Sequence, residues 1–120
     1  MSNTVPAAFL SYSHFDDEHD GQYITQFRKS LEGEVHALTG HNFVIFQDRR
    51  DIDWGQQWRQ RIEQTIDSAT FLITILSPKF FTSPECCREV KRFLEREQAL
   101  GRNDLILPVY YSAPLQVVEF

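Results

Sequence analysis

Short apolar runs that end in polar residues divide the chain into blocks, and these blocks predict four strands. The predicted strands are residues 7–12, 43–46, 70–76 and 105–111. The third run is β-branched and apolar on both alternating faces, which is typical of a strand covered on both sides. We therefore expect it at the centre of a sheet. Pro108 argues against the fourth strand, because proline has no backbone N–H to donate a hydrogen bond to a neighbouring strand.

Between the strands, apolar residues recur every three or four positions, which is the spacing of one helix face. This pattern predicts helices over residues 22–39, over residues 58–69 and from Ser83 to a stop at Gly101. Gly40 closes the first of them. The start of the third is well marked, because Ser83 suits the N-cap, Pro84 the first helical position and Glu85 the positive end of the helix dipole.

Strands that alternate with helices favour a three-layer α/β fold with a parallel sheet and right-handed crossovers. We expect a tail at residues 1–6, one domain at 7–111 and an extension at 112–120. The extension holds too little chain for another helix and strand, so we expect a fragment of a longer protein. In such sheets ligands bind at the carboxyl ends of the strands, here residues 11–16, 47–58, 77–89 and those after 111.

Composition restricts the function further. The 120 residues are 42% hydrophobic and carry a net charge of −5, which fits one globular domain with no basic stripe for nucleic acid. The longest apolar run, Phe71–Leu76, is far shorter than the roughly 20 residues that span a bilayer. The first residues lack the pattern of a secretory signal, so we expect a cytoplasmic protein without membrane contact.

The thiols and imidazoles offer little support for a metal. Cys86 and Cys87 are adjacent, and Cα atoms about 3.8 Å apart are too close for an ordinary disulfide, so we expect free thiols. On an apolar helix face each is either a small core residue or a nucleophile. The four histidines lack the spacing of a zinc site, and we expect no metal.

Glu89 is the main candidate for chemistry. It lies in the second turn of the third predicted helix, and helical side chains lean toward the N-terminus, so its carboxylate points to the strand ends. The alternative is a solvated surface carboxylate. A lone carboxylate is insufficient for peptide or phosphoryl transfer, because these reactions need an activated nucleophile or cations that neutralise charge. It can suffice for cleaving a glycosidic bond when the leaving group needs no protonation, as with the nicotinamide of NAD+, which departs neutral.

Aromatic residues lie on or beside the same loops. Phe15, Trp54 and Trp58 could each stack on a nicotinamide or adenine ring. Trp58 could instead pack in the core, and Trp54 could contact a partner. We expect Phe80 and Phe81 in the core. The charged loop that begins at Arg49 could meet a phosphate or another protein, or could simply be solvated.

Three motifs, in order, resemble those of a Toll/interleukin receptor (TIR) domain. They are Phe9-Leu10-Ser11-Tyr12-Ser13 with Asp16, the loop Asp48-Arg49-Arg50-Asp51-Ile52-Asp53-Trp54-Gly55 leading to Trp58, and Leu76-Ser77-Pro78 followed by Ser83-Pro84-Glu85-Cys86-Cys87-Arg88-Glu89-Val90. The resemblance covers about residues 7–111. It implies a flavodoxin-like sheet, normally of five parallel strands, so the last strand and helix are expected to be missing or beyond this chain.

The resemblance implies two functional classes. Many plant and bacterial TIR domains are NAD glycohydrolases or cyclases, and the position of their catalytic glutamate matches Glu89. The positions that match their NAD site, together with Phe15 and Cys86, give an expected substrate site of Ser13, His14, Phe15, Asp53, Trp54, Trp58 and Cys86. Other members are non-enzymatic adaptors that assemble through homotypic contacts. Their assembly loop matches Arg49, Arg50, Asp51, Ile52, Asp53, Trp54 and Gly55.

From the resemblance we expect an enzyme that cleaves NAD+ as substrate, without a cofactor, and that self-association activates. Release of ADP-ribose and of a cyclic product both remain open. A bacterial antiphage protein with a fused or partner sensor domain is the expected context, and a scaffold is the alternative. Two departures stand out, since Glu85 replaces an aromatic found in many enzymatic members and Trp54 replaces a proline.

The sequence does not fit two other classes of protein that act on nucleotides or phosphoryl groups. A phosphoacceptor receiver domain needs an aspartate after the third strand, where this chain has Ile75-Leu76-Ser77. A P-loop nucleotidase needs the motif G-x-x-x-x-G-K-[ST], which does not occur.

Overall fold

A computed structural model describes residues 6–19, 21–47 and 55–111, the side chains of 55–59 excepted. It shows a four-stranded parallel sheet in the order β2-β1-β3-β4. The strands are β1 (Ala8–Ser11), β2 (Ile45–Gln47), β3 (Phe71–Leu76) and β4 (Ile106–Tyr110). The helices are α1 (His14–His19), α2 (Tyr23–Thr39), α3 (Gly55–Ser68), α4 (Pro78–Phe81) and α5 (Pro84–Leu100). The predicted α/β fold with a flavodoxin-like parallel sheet is therefore confirmed.

Helices cover the two faces of the sheet and create two hydrophobic clusters. On one face Ile24 of α2 packs against Leu10 and Ile75. On the other, Ile66 of α3 and Phe93 of α5 pack against Phe9, Leu72 and Leu105. β3 lies inside the sheet, and its four middle residues are buried, as its apolar pattern predicts.

α5 begins and ends where its sequence signals predict. The Ser83 hydroxyl accepts a hydrogen bond from the backbone N–H of Cys86 at 3.2 Å, and Pro84 is the first helical residue. Gly101 ends the helix with a φ of 67°, a left-handed conformation that glycine adopts without strain. The buried Glu97 accepts the N–H groups of Leu105 and Ile106, so this helix also fixes the start of β4.

The sequence prediction was wrong in several local details. β2 occupies Ile45–Gln47 rather than residues 43–46. Two short helices, α1 and α4, form in segments for which the sequence pattern predicted no helix. Phe80 is buried as predicted, but Phe81 is 65% exposed and lies outside the core. The two rings follow each other on a single helical turn, so they point about 100° apart.

The apolar face of α2 is covered less completely toward its C-terminus, since Leu31 in the middle still packs partly buried against the core. Ile24 is buried, whereas Phe27 is 36% and Leu38 83% exposed. The helix therefore has a longer apolar stripe than the described sheet covers. None of the helices in residues 6–19, 21–47 and 55–111 has the length and apolar character that crossing a membrane requires.

Pro108 lies within β4 without interrupting its pairing to β3. The N–H of Tyr111 donates to the carbonyl of Leu76 at 3.0 Å. Since N–H groups alternate in direction along a strand, those of Leu107 and Val109 also face β3, and the nitrogen of Pro108 faces the opposite side. Among the described residues that side is the open edge of the sheet, where a missing donor costs nothing.

The packing of α5 predicts that Phe93→Ala destabilises the protein strongly. The Phe93 ring is 0% exposed, and its removal leaves a cavity, so we expect a loss of about 3–5 kcal/mol in the free energy of unfolding. The neighbouring Leu94, 49% exposed, is a matched control, and Leu94→Ala should change the same quantity by about 0.5 kcal/mol or less. Urea unfolding measures both, and equal losses would contradict the assigned orientation of α5.

Candidate functional site

A cavity of about 190 Å³ lies at the carboxyl edge of the sheet, between the end of β1 and the start of α5. Its described lining comes from β1, from the turn that follows β1, and from the first two turns of α5. These residues are Leu10, Tyr12, Ser13, His14, Ser83, Glu85, Cys86 and Glu89. Four of the predicted site residues, Ser13, His14, Cys86 and Glu89, are thus brought together.

Helical spacing explains why α5 supplies three of these side chains. Cys86 and Glu89 are three residues apart, and Glu85 and Glu89 are four apart, so all three share one side of the helix. The Ser83 cap fixes the beginning of α5, and with it the direction in which these side chains point. Two carboxylates and a thiol therefore face the same cavity.

Glu89 is bound to the end of β1. The Ser11 hydroxyl donates a hydrogen bond to Oε1 of Glu89 at 2.6 Å, across 78 positions of sequence. Ser11 is 1% exposed, and Glu89 is half-buried. A hydroxyl that donates to a carboxylate over this distance makes a strong, charge-assisted bond. The contact excludes the alternative of a freely solvated carboxylate.

Cys86 and Cys87 have different environments. Cys86 is buried, and this burial, with a smaller contribution from the charge of Glu89, raises the pKa of its thiol to about 11, although hydrogen bonds with Ser83 and Ser11 act in the opposite direction. The thiol is therefore protonated at neutral pH and is not an activated nucleophile. Cys87 is exposed, so the prediction of a small core residue holds for Cys86 and is wrong for Cys87. Both thiols are free, as expected.

A buried serine and carboxylate hold the turn that carries Ser13. The Ser77 hydroxyl, just after β3, donates to the carboxylate of Asp16 and accepts the N–H of Phe80. The N–H of Asp16 donates in turn to the carbonyl of Ser13 at 3.0 Å. The first turn of the site is therefore attached to the end of β3. Sequence reasoning placed Asp16 in a motif but did not assign it this role.

A second polar network connects the site to β2. Thr25 donates to the Asp17 carboxylate through its N–H and its hydroxyl, at 2.9 and 2.6 Å. The Gln47 amide donates to the Thr25 hydroxyl at 2.8 Å and to the Tyr12 hydroxyl at 3.2 Å. Gln47 is the last residue of β2, and Tyr12 lines the cavity. No sequence pattern indicated this connection, because its members lie on four separate segments.

Of the other predicted site residues, Phe15 and Gly55 lie outside the described lining of the cavity. Phe15 is 50% exposed and stacks on His19, with the Lys79 ammonium 4.7 Å from its ring centre. Gly55 is the first residue of α3. The remaining predictions lie outside the described residues, and they are Arg49, Arg50, Asp51, Ile52, Asp53, Trp54 and the side chain of Trp58.

A second cavity, of about 300 Å³, lies between α2 and the ends of β3 and β4. It is largely apolar and is lined by Tyr23, Ile24, Phe27, Ile75, Val109, Tyr110 and Tyr111. The described lining carries no carboxylate, imidazole, thiol or ammonium group, and its polar side-chain groups are the phenol hydroxyls of three tyrosines. In the described parts of the chain, no group of three His, Cys, Asp or Glu side chains could hold a metal ion.

The environments of the two thiols predict a large difference in reactivity. At about pH 8 the exposed Cys87 should react with a disulfide reagent such as Ellman's reagent, while the buried, protonated Cys86 should react much more slowly. We expect one fast thiol per native chain. Cys87→Ser should remove the fast phase, and Cys86→Ser should leave it. Two thiols with equal rates in the native protein would contradict this assignment.

Comparison with known proteins agrees with the architecture. The family profile described as "TIR domain" matches residues 8–119, which is nearly the whole chain. A search of curated proteins found no match. TIR domains are signalling and immune modules that engage in homotypic contacts, and the family contains both NAD-cleaving enzymes and non-enzymatic members. The chain belongs to the TIR domain family, because the profile matches nearly all of it and because its four-stranded parallel sheet agrees with the fold of that family.

Proposed function

We propose that this TIR domain cleaves NAD+ between nicotinamide and ribose, with Glu89 as the catalytic residue. The observation that carries the proposal is the position of Glu89. Its carboxylate faces a cavity at the carboxyl edge of the sheet and is held there by a buried hydroxyl. Ligands of open α/β sheets bind at this edge.

The proposed reaction begins with heterolysis of the bond between ribose C1′ and the pyridinium nitrogen. The bonding electron pair goes to nitrogen, so nicotinamide leaves as a neutral molecule without needing a proton. The ribose becomes an oxocarbenium-like cation. The Glu89 carboxylate stabilises this cation or orients the ribose hydroxyls. Water then adds at C1′ and loses a proton to give ADP-ribose, or an internal nucleophile of the dinucleotide adds to give a cyclic product.

The charges of the cavity suit a cationic ring. Its described lining contains the carboxylates of Glu85 and Glu89 and no Lys or Arg. Cys86 adds no negative charge at neutral pH, because its thiol stays protonated. The positive charge of NAD+ is on the nicotinamide ring, and it moves to the ribose as the bond breaks. A preorganised negative group beside this region stabilises the transition state more than it stabilises bound NAD+.

The size of the cavity indicates which part of NAD+ it receives. Sites for small molecules commonly measure about 300–1,000 Å³, whereas the described residues bound about 190 Å³. This space suits the reacting end of the dinucleotide rather than the whole molecule. The adenosine half would then lie outside it, toward the rim where Phe15 is exposed.

Replacement of Glu89 by Gln tests the proposal. Glutamine keeps the size and can still accept from Ser11, but it removes the negative charge, so we expect nicotinamide release to fall by at least about 100-fold. Chromatography of free nicotinamide after incubation with NAD+ measures this. Glu95→Gln, at an exposed position of the same helix, is the matched control and should retain activity. Turnover by Glu89→Gln at the wild-type rate would overturn the assignment.

We further propose that self-association activates the enzyme and that a fused or partner sensor domain, as in bacterial antiphage proteins, controls the association. If the charged loop that begins at Arg49 helps to complete the site of a neighbouring copy, activity per molecule should rise with protein concentration. Assays over a range of concentrations, with and without a crowding agent, measure this. A constant specific activity would argue against assembly-dependent activation.

A scaffold that acts only by assembly is the second candidate function. The observation that favours it is the exposure of Phe15 (50%) and Phe81 (65%) close to the carboxyl edge, where a partner could cover them. A scaffold would leave NAD+ intact at every concentration, while Trp54→Ala would still abolish assembly. Measuring association and nicotinamide release on the same samples separates the two functions.

A further inference from the structure

Ser11 lies behind the cavity rather than in it. It is the last residue of β1, pairs with Thr74 of β3 and is 1% exposed. The described lining of the cavity does not include it. A substrate in the cavity would therefore contact Glu89 and not Ser11.

The contact between Ser11 and Glu89 joins a rigid donor to a flexible acceptor. A serine hydroxyl has one proton and one side-chain torsion besides the rotation of that proton, and here it is mounted on a strand paired within the sheet. A glutamate side chain has three torsions and can turn its carboxylate in many directions. The bond of 2.6 Å fixes Oε1 of this carboxylate, which lines the cavity.

The thiol of Cys86 belongs to the same cluster. It is 2% exposed, lies one turn before Glu89 and interacts with both partners: the charge of Glu89 raises its pKa and a hydrogen bond with Ser11 lowers it. The single hydroxyl proton of Ser11 is directed to Glu89 in the bond of 2.6 Å. Ser11, Cys86 and Glu89 thus form one cluster between β1 and α5.

We propose that Ser11 is a positioning residue, which acts through Glu89 by holding its carboxylate toward the reacting bond. This inference rests on the function proposed above. A misdirected carboxylate still leaves the cavity intact, so loss of the hydroxyl should lower kcat by about 10- to 100-fold and change KM by less than about threefold.

The test compares Ser11→Ala and Ser11→Cys with wild type in the nicotinamide-release assay. The thiol of Ser11→Cys nearly preserves the size of the side chain but is a weak donor, so this variant keeps the packing if the alanine variant fails to fold. Both should show the loss of kcat. Thr74→Val is the matched control, because it removes a buried hydroxyl from the paired position of β3 and should keep the wild-type kcat.

A spectroscopic measurement tests the contact without activity. The side-chain carboxyl carbon of Glu89, assigned by its absence in Glu89→Gln, should change its NMR chemical shift in Ser11→Ala and Ser11→Cys but not in Thr74→Val. A shift unchanged in both Ser11 variants would overturn the inference.

The outcomes separate the two proposals. If wild type is active, Glu89→Gln is inactive and the Ser11 variants keep the wild-type kcat, the positioning role is wrong and the proposed function stands. An increase in KM at constant kcat would likewise overturn positioning, since it would show a role in binding. If wild type releases no nicotinamide under any assembly condition, the proposed function fails, and with it a catalytic role for Ser11, whether or not the NMR shift shows the contact.

Discussion

The parallel pairing of β1 with β3 determines where the candidate chemistry lies. Because the two strands run in the same direction, Ser11 at the end of β1 is level with Thr74 of β3. The chain leaves β3 through α4 and turns into α5, whose first two turns then lie over the end of β1. Glu89 thereby meets a hydroxyl that is 78 positions away in sequence. An antiparallel neighbour would place these two ends at opposite edges of the sheet.

Hydroxyl groups bond to carboxylates at this edge of the sheet. Three described carboxylates each accept a bond from a serine or threonine, in the pairs Ser11–Glu89, Ser77–Asp16 and Thr25–Asp17. Arginine acts differently at a described pair between α5 and α3, where Arg92 lowers the pKa of the Asp67 carboxyl. A hydroxyl stabilises a carboxylate without cancelling its charge. The Ser11 hydroxyl therefore holds Glu89 beside the cavity.

The sequence predicted the structure best where apolar residues repeat at a regular spacing or where the interacting residues are close together in sequence. Helical spacing and the Ser83 and Gly101 caps predicted α5 because both are short-range features. The one-turn helix α4 has no period to detect and was missed, although its Ser77 cap, which accepts the N–H of Phe80, and Pro78 are local signals of the same kind as Ser83 and Pro84. The residues of the cavity were found mainly through family motifs. The partner of Glu89 was not found, because a contact between distant segments leaves no local pattern.

Pro108 constrains any strand that pairs with the outer side of β4. Its nitrogen faces that side, the open edge within the described part of the chain, and cannot donate there. A strand added to this edge, whether it follows residue 111 in sequence or belongs to another molecule, would find the ladder interrupted midway and would lose a hydrogen bond at that step. The carbonyl opposite Pro108 would need another donor, such as water or a side chain. The residue that leaves the pairing of β3 with β4 intact therefore limits pairing on the other side of the strand.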